Sequence, residues 1–553
     1  MPKRVHTLPQ ADFMGGLNLD ADAFQLAKND SPAMLNVDIN PLGGFTRRLP
    51  VARKSVLAAG VDGTRMFWRD GNDIIFPYAD ATYGGFTYSQ NASTWTQVTW
   101  PIAKGGMRNM ASYTDENEPS YNVTYFGRGS GVPAHSVARW VPGAASVTDL
   151  TRTVWNEDFA NPTQGNMPLG SHMTQHLEYM FVGGLYEVGG LYGGDVVFGN
   201  RVRFSHPGHV EDWRVDDWFD VGDADHITAM VSFKTDLLIF KSHEVWLLRG
   251  YDADTFSLEN ISRTVGASNA GAVVVAENGV YFCGYPHGVY LFGPNGLEWV
   301  SEKIDEMWAS RHIDQTSAAN TTLAWIDKRL YFCTSALDSF PFQGIWKSMV
   351  FVLDPSLPPH SWSAHVYGAV TADGGVGFVS AIGTPDTLQT FRGLAVLDDT
   401  NQKTLVRFTD VNDSYTGDNI GAVDYPIDSY YTTSWQDLGD SAIVKTWGRP
   451  VVVLDNAEQG TLTCEVYRDY DSTTAVRTFP IVATGQAGES FLWGDDWGVG
   501  DWSAPAGAQL KIVKGGRLGR ATSVSLKIKG SFENTYWAVN SIVWKYIPKR
   551  VRS

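Results

Sequence analysis

The chain has 553 residues, a formal net charge of −17, 43% hydrophobic residues and 13% aromatic residues. This length exceeds what one compact core usually holds, and the acidic charge argues against gripping a nucleic-acid backbone, where affinity comes mainly from Lys and Arg. There is no apolar run of about 18 residues and no apolar segment near the N-terminus, so the sequence predicts neither a membrane span nor a secretory signal. Abundant glycine and tryptophan, with few windows of helical spacing, predict an all-β protein of many short strands.

Residues 1–55 are predicted to form an extended N-terminal arm. They contain Gly-Gly-Leu-Asn at 15–18, a stretch with helical apolar spacing at 21–35, Asn-Val-Asp at 36–38 and Gly-Gly-Phe-Thr-Arg-Arg at 43–48. The paired glycines permit turns that other residues disfavour. Because the arm has little core of its own, we expect it to become ordered only against a neighbouring molecule.

Residues 56–424 repeat a pattern of two short apolar-aromatic strands separated by turns. The unit recurs about every 50 residues, and its predicted strand centres fall near positions 75, 124, 180, 238, 282 and 332. Such a unit is too small to bury its own apolar face, so the repeat predicts a β-propeller of six or seven blades. Residues 130–167, rich in Gly, Pro, Ala and Thr, are expected to be an inserted or widened loop.

Residues 425–553 alternate apolar and polar side chains, as at 461–468 and 523–530. This alternation is typical of a sheet with one solvated face and predicts a C-terminal β-sandwich beside the propeller. The end of the region is basic, because residues 511–553 contain ten Lys or Arg and one Glu, which leaves a charge of −26 on the rest of the chain. We expect the basic end to dock on an acidic partner or to fold against the acidic body.

Two groups of residues have the donor types of a metal site. They are the set His206, His209, Asp223, Asp225 and His226, and the pair His172 and His176. In the first set, the Pro and Gly between the two neighbouring histidines indicate a turn. The pair His172 and His176 precedes a predicted strand and lacks the Glu of the metalloprotease motif. The spacing of Cys283, Cys333 and Cys464 matches neither a zinc site nor a redox pair, so we expect small buried apolar residues. No metal ligand or cofactor-binding residue is predicted.

Glycoside hydrolysis is the main enzymatic alternative, because propellers host glycosidases that use paired carboxylates. Acidic residues are abundant at 211–225, but they define no such pair, and their spacing does not match an EF-hand loop. No nucleophile elbow or P-loop motif occurs. Trp213, Trp218, Trp246 and Trp325 are expected to pack against strands instead of forming a ligand platform. The sequence therefore predicts a protein that is not an enzyme.

Several segments occur in an order that identifies a family. They are the three arm motifs, Asn-Arg-Val-Arg-Phe-Ser-His-Pro-Gly-His-Val-Glu-Asp-Trp at 200–213, the strand pair at 227–241 with Val-Trp-Leu-Leu at 245–248, the glycine-rich strands at 279–296 and the closing strands up to 546. Together they resemble the tail nozzle family of short-tailed bacteriophages, also called phage stabilisation proteins or tail tubular protein B. Family members commonly carry an acidic residue where His206 stands, a departure that concerns the detail of a turn.

The resemblance implies a structural virion protein that assembles as a homo-oligomeric ring, a hexamer in relatives, below the portal and adaptor rings. Such a ring would extend the DNA channel, retain the packaged genome, support ejection and carry tail fibres or a plug. Genomic DNA would pass an acidic bore without specific binding, since like charges repel. The protein would assemble in the host cytoplasm and be found in the virion tail.

Arg47 and Arg48 are predicted to dock the arm on the adjacent ring, so that replacing both with Glu should leave the monomer folded and block attachment. Two other functions stay open. One is a receptor-binding or glycan-degrading tail protein built on the same propeller, which should expose Trp or Tyr beside carboxylates on the blade tops. The other is a bacterial propeller binding module unrelated to phages.

Overall fold

The computed structural model shows an almost entirely β-structured protein. It describes residues 5–57, 67–69, 73–79, 84–89, 94–100, 107–114, 122–128, 136–141, 143–149, 167–187, 196–208, 210, 213–214, 216–284, 288–310, 312, 321–334, 349–357, 360–367, 378–383, 392–397, 403–409, 417–420, 424–439, 441–455, 460–483, 511–514, 518–532 and 537–548. Helix is limited, in these ranges, to α1 (Glu306–Ala309) and the 3-10 turns Ala270–Ala272 and Glu302–Ile304. None of the described helices has the length and apolar character needed to traverse a bilayer.

Six short strands form the arm. They are β1 (His6–Gln10), β2 (Gly16–Leu17), β3 (Asp30–Ser31), β4 (Met34–Leu35), β5 (Val37–Ile39) and β6 (Phe45–Arg47). The apolar spacing at 21–35 predicts a helix, but the structure has turns followed by β3 and β4 there. That prediction was wrong because backbone pairing with other parts of the chain overrides the local helical pattern.

Seven four-stranded units follow the arm in the described residues. The first strand after the arm is β7 (Val51–Val56). The first unit contains β8 (Phe67–Arg69), β9 (Asp73–Ala79), β10 (Gly84–Ser89) and β11 (Thr96–Trp100). The second contains β12 (Met107–Thr114), β13 (Asn122–Arg128), β14 (Ser136–Trp140) and β15 (Thr148–Asp149). The third contains β16 (Leu169–His176), β17 (Tyr179–Glu187), β18 (Val196–Phe204) and β19 (Trp218–Asp220).

The fourth unit contains β20 (Ile227–Phe233), β21 (Asp236–Lys241), β22 (Val245–Arg249) and β23 (Ser257–Ser262). The fifth contains β24 (Val273–Ala276), β25 (Gly279–Cys283), β26 (Val289–Gly293) and β27 (Gly296–Trp299). The sixth contains β28 (Thr322–Ile326), β29 (Arg329–Thr334), β30 (Met349–Asp354) and β31 (Ser361–His365). The seventh contains β32 (Phe378–Gly383), β33 (Arg392–Leu397), β34 (Lys403–Phe408) and, from the arm side, β7.

This arrangement confirms the predicted β-propeller. The first strands of successive units lie side by side from β12 to β32, and each predicted strand centre falls on the second strand of its unit. The apolar run of β21 shows why: Leu237 and Ile239 pack towards the third unit, while Leu238 and Phe240 pack towards the fifth. A strand buried on both faces is read in sequence as a continuous apolar run.

The last unit is completed by a strand from the beginning of the chain. β7 pairs antiparallel with β34, and the indole Nε1 of Trp95 in the first unit donates to Ser55 Oγ of β7 at 3.0 Å. The short strands β35 (Asp418–Asn419) and β36 (Asp424–Tyr425) extend this sheet. The arm predicted over 1–55 therefore includes a propeller strand.

The predicted loop at 130–167 is partly wrong. Ser136–Trp140 and Thr148–Asp149 are the third and fourth strands of the second unit. Trp140 is fully buried there against Phe86 of the preceding unit, with ring centroids 5.1 Å apart. Gly143, with φ +86°, lies in the turn between these two strands, whereas residues 130–135, 142 and 150–166 lie outside the described residues.

In the described residues, the C-terminal sandwich consists of two sheets. Their strands are β37 (Ile427–Thr432), β38 (Lys445–Trp447), β39 (Val451–Asp455), β40 (Gly460–Arg468), β41 (Arg477–Ala483), β42 (Lys511–Lys514), β43 (Gly519–Ala521), β44 (Val524–Phe532) and β45 (Ala538–Pro548). One sheet has the order β4-β37-β44-β40-β41; the other contains β42-β39-β45-β38-β43 together with β1, β5 and β6. The arm therefore contributes strands to both sheets.

One apolar core joins the arm, the propeller and the sandwich. It contains Phe13, Leu17 and Phe45 of the arm, Trp362 of the sixth unit, and Tyr431 of the sandwich, all fully buried. The arm is thus ordered against its own chain, which corrects the expectation that only a neighbouring molecule would order it. Its apolar side chains supply little core alone but complete a core that the other two parts share.

Candidate functional site: the arm junction

The three arm motifs converge where the propeller meets the sandwich. We call this region the arm junction and define it by its polar residues, which are Asn36, Asp38, Arg48, Arg329, His365 and Asp418. They come from the arm, from β29, from β31 and from β35. Their side chains are separated by up to 370 positions in sequence, so no local motif could bring them together.

Asn36 connects all three parts of the protein. Its Oδ1 accepts hydrogen bonds from the Val366 amide at 2.8 Å and from Arg48 Nε at 2.9 Å, and its Nδ2 donates to the Asp428 carbonyl at 2.7 Å. Its backbone has φ +53°, a conformation in which Asn is several-fold enriched among non-glycine residues. Asn is therefore suited both to the turn and to the buried hydrogen bonds.

Arg48 is buried at the centre of the junction. Its Nη1 and Nη2 donate to the two carboxylate oxygens of Asp418 at 2.9 and 2.5 Å, and Nη2 also donates to the Val366 carbonyl at 2.6 Å. The guanidinium lies 4.2 Å from the ring centroid of Tyr367. Burial alone would lower the pKa of Arg48, but the charge and hydrogen bonds of Asp418 raise it above its ordinary value. The side chain is a permanently charged internal brace.

The burial of Arg47 and Arg48 corrects the docking role that the sequence predicted for them. Only 5% of Arg47 and 3% of Arg48 is exposed, and the Arg48 guanidinium is engaged by groups of the same chain. A docking side chain would have to reach the surface. The prediction rested on two adjacent cations in the arm. This local pattern carries no information about Asp418, which is distant in sequence and pairs with Arg48 in the interior.

Asp38 forms the second ion-paired centre of the junction. Its carboxylate lies 3.3 Å from Arg329 Nη1 and 3.3 Å from His365 Nε2. Burial would raise the pKa of Asp38, but His365 and then Arg329 and Arg48 lower it to about 2. The carboxylate is therefore ionised at neutral pH. A narrow cleft lies beside it, between Arg329, Asp354 and Ser361.

A third contact fixes the start of the arm. Lys303 Nζ donates to the Gly15 carbonyl at 2.7 Å and to Asp30 Oδ1 at 3.0 Å, and Asn18 Nδ2 donates to Asp30 Oδ2 at 2.7 Å. Gly16 has φ +71°, and a Cβ there would lie 2.6 Å from the Trp362 carbonyl oxygen. The paired glycines thus allow the arm backbone to lie directly on β31, with which β2 pairs in parallel.

The segment at 200–213 contains the end of β18 and the turn that follows it in the third unit. Ser205 Oγ accepts from the Met180 amide at 3.0 Å, the Gly208 amide donates to the Glu178 carbonyl at 3.0 Å, and Trp213 Nε1 donates to Val210 at 2.8 Å. Gly208 has φ +76°, which favours glycine at this turn. The order Phe-Ser-x-Pro-Gly therefore encodes a turn, while His209, Glu211 and Asp212 lie outside the described residues.

Side chains of the two groups with the donor types of a metal site take part in structural contacts. His172 and His176 lie on β16, and His176 Nδ1 is 2.8 Å from Ser232 Oγ. Asp223 Oδ1 accepts from the buried Lys241 ammonium at 2.5 Å. No cluster of three or more metal-ligating residues occurs in the part of the chain that the structure describes.

The cysteines and tryptophans mostly have packing roles. The prediction for the cysteines is confirmed, since Cys283, Cys333 and Cys464 are free and buried, and burial raises the pKa of the Cys283 thiol to about 12. Trp213 is buried, and Trp325 stacks on Tyr281 with centroids 5.6 Å apart. Trp218 differs, because it is partly exposed and stacks on the guanidinium of Arg201 at 3.6 Å.

No protein-family model matches the chain, and no curated protein sequence does either. Three solved structures are similar in fold. Raptor of Chaetomium thermophilum is 10% identical over 66% of this chain and 30% of its own, with a TM-score of 0.39. PorZ of Porphyromonas gingivalis is 11% identical over 73% and 44%, with a TM-score of 0.31. The WD40 domain of Neurospora crassa Pan2 is 10% identical over 65% and 96%, with a TM-score of 0.37. This chain thus spans less than half of the Raptor and PorZ chains.

Proposed function

We propose that this protein is a structural component of a short-tailed phage virion, a nozzle that forms a ring and extends the DNA channel below the portal and adaptor. The proposal starts from the ordered sequence motifs that resemble the tail nozzle family. What supports it most is the role of those motifs: the segments at 36–38 and 43–48 join the propeller to the sandwich at the arm junction, and the segment at 15–18 holds the start of the arm on Lys303.

A firmly joined propeller and sandwich suits a mechanical part. The arm adds strands to the sixth unit and to both sandwich sheets, and the shared core continues through all three. Packed cores deform little, so a subunit of this kind would hold its shape while a packaged genome presses on it.

Charge is the second support. The body outside 511–553 carries −26, and a negative wall repels DNA at short range, with the effect limited by salt to a Debye length of about 10 Å. DNA would pass such a bore without specific binding. Tail fibres or a plug and the adaptor ring are the partners that this function requires.

Electron microscopy of the purified full-length protein, and of virus particles from cells that produce it, tests the proposal. We expect a homo-oligomeric ring with an open axis, and antibody labelling of the chain at the particle tail. A chain that is monomeric under all conditions and absent from the particle would contradict the nozzle function. Release of reducing ends from host capsule or lipopolysaccharide would favour the glycan-degrading alternative instead.

A further inference from the structure

The outer edge of the third unit presents an indole ring that is fixed from one side. Trp218 is the first residue of β19, the outermost strand of this unit, and 37% of it is exposed. The buried guanidinium of Arg201 lies 3.6 Å from the ring centroid of Trp218 and 3.9 Å from that of Phe198. Because the guanidinium covers one face of the indole, the exposed surface of Trp218 is its other face and its edge.

Asp220 holds this stack in place. It accepts hydrogen bonds from Nε and Nη2 of Arg201 at 2.8 and 3.2 Å, one to each carboxylate oxygen, a contact with a defined geometry. Trp218 and Asp220 lie two residues apart on β19, so their side chains project from the same face of the strand. The Asp220 side chain is 42% exposed, and each of its oxygens has a lone pair left for a second donor.

His226 and the indole N–H add hydrogen-bonding groups to this edge. The exposed His226 ring packs on the backbone of β18, since a Cβ on Gly199 would lie 2.1 Å from its Nδ1. Gly199 is two residues from Arg201 on that strand. Among the described residues, none accepts a hydrogen bond from Nε1 of Trp218. We call Trp218, Arg201, Asp220 and His226 the indole platform.

We propose that the indole platform binds a neutral saccharide, with a pyranose ring stacked on the exposed face of Trp218. The face of an aromatic ring is the negative end of its quadrupole and attracts C–H groups. A pyranose with equatorial hydroxyls presents only axial C–H bonds on each face, so β-linked glucose or N-acetylglucosamine fits best. Its hydroxyls would donate to Asp220 and accept from Nε1 of Trp218. Such binding is additional to the proposed nozzle function and does not require a ring.

The charges of the indole platform favour a neutral ligand over a cationic peptide or a nucleic acid. Arg201 and Asp220 neutralise each other in direct contact, and the guanidinium already makes the cation–π contact that a basic side chain would seek. A nucleobase on Trp218 would bring its phosphates towards the exposed Asp216, whose carbonyl accepts from the Trp218 amide at 2.9 Å. Like charges oppose that approach.

Titration of the full-length protein with cellohexaose and with chitohexaose, by isothermal calorimetry, tests the proposal. The test variant is Trp218→Ala. The matched control is Trp299→Ala, because Trp299 also lies on an outermost strand and is 39% exposed, but its Nε1 already donates to Ser301 Oγ at 2.9 Å. Trp218→Phe keeps a ring and removes only the N–H donor, and it serves if Trp218→Ala does not fold by circular dichroism.

We expect a Kd on the order of 0.1–1 mM for at least one hexasaccharide, and saturation transfer in NMR confined to the protons of one sugar face. Trp218→Ala should weaken binding by about tenfold or more and Trp218→Phe by about threefold, whereas Trp299→Ala should bind like the natural protein. Absence of binding to both hexasaccharides, or binding that Trp218→Ala leaves unchanged, overturns the proposal.

Two further outcomes separate this proposal from others. If neither hexasaccharide binds but Trp218→Ala loses binding to single-stranded oligothymidine, the indole platform stacks on bases and the saccharide proposal is wrong. A protein that forms rings and binds neither hexasaccharide refutes only the saccharide site. A protein that binds a hexasaccharide through Trp218 and never forms rings refutes only the nozzle function.

Discussion

The guanidinium of Arg48 and the carboxylate of Asp418 form a two-pronged ion pair in the interior, across 370 positions of sequence. Asp418 also accepts a hydrogen bond from the Val51 amide at 3.1 Å. The pair therefore fixes the end of the arm, the start of β7 and the strand β35 in one place. Through this ion pair, the arm is an integral part of the folded chain.

Removal of the cation should be costly. In the variant Arg48→Ala, the buried Asp418 would lose its main partner, and breaking a buried ion pair in this way typically costs about 3–5 kcal/mol. We expect a decrease of that size in the free energy of unfolding, measured by urea denaturation. The reason is the unpaired buried carboxylate, not the lost attraction alone.

Two further variants test whether the loss of the ion pair causes the decrease in the free energy of unfolding. Lys54→Ala removes an exposed cation from neighbouring β7 and should change the free energy of unfolding by less than about 0.5 kcal/mol. Arg48→Lys keeps the charge but cannot reproduce the planar two-pronged contact, so it should recover only part of the loss. If Arg48→Ala were as stable as Lys54→Ala, the ion pair would not be a structural brace.

Gly16→Ala should destabilise the arm through two separate effects. The positive φ of +71° is strained for a residue with a Cβ, and the new Cβ would lie 2.6 Å from the Trp362 carbonyl oxygen. We expect a loss of about 2 kcal/mol or more in the free energy of unfolding, together with faster proteolytic cleavage of the arm.

Gly296→Ala is the matched control for that variant. Gly296 has φ +97° as the first residue of β27, directly after the turn, and a Cβ there would meet nothing within 4 Å. It should show only the conformational effect, about 1 kcal/mol. Equal losses at Gly16 and Gly296 would mean that close packing of the arm on β31 contributes nothing.

The propeller was predictable because each unit repeats a pattern that depends on local neighbours. A strand such as β21, buried on both faces, shows its place directly in an apolar run. The arm was not predictable for the opposite reason. Its strands pair with β31, β37 and β45, and its polar residues meet partners such as Asp428 and Asp418 hundreds of positions away, so its short segments carry no period of their own.

The outermost strand of the last unit was missed for the same reason. β7 looked like the end of the arm because its partner β34 lies about 350 residues later in the chain. β7 therefore joins the end of the arm directly to the last unit of the propeller. Only two residues separate Arg48 from Val51, the first residue of β7, and both residues contact Asp418.

Acid should weaken the junction through Asp38. Its pKa is about 2 in the folded protein against an ordinary 3.8, so its contribution to stability is fully present above pH 3.8 and is lost as the pH falls through about 2. The contribution is at most about 2 kcal/mol, since 24% of the side chain is exposed. When the pH falls from about 5 to about 2.5, the free energy of unfolding of the natural protein should decrease more than that of Asp38→Asn. Parallel pH profiles of the two proteins would contradict this role.

The last prediction concerns the apolar side of the arm. Phe45 is fully buried and stacks on Tyr431 of the sandwich with centroids 4.1 Å apart, so Phe45→Ala should lower the free energy of unfolding by about 3–5 kcal/mol. Leu42, three residues earlier, is 91% exposed, and Leu42→Ala should have an effect below about 0.5 kcal/mol. Because both side chains are apolar and lie close together in the arm, the comparison of the two variants isolates the effect of burial on the free energy of unfolding. An arm that became ordered only in an assembled ring would give two equally small effects in the monomer.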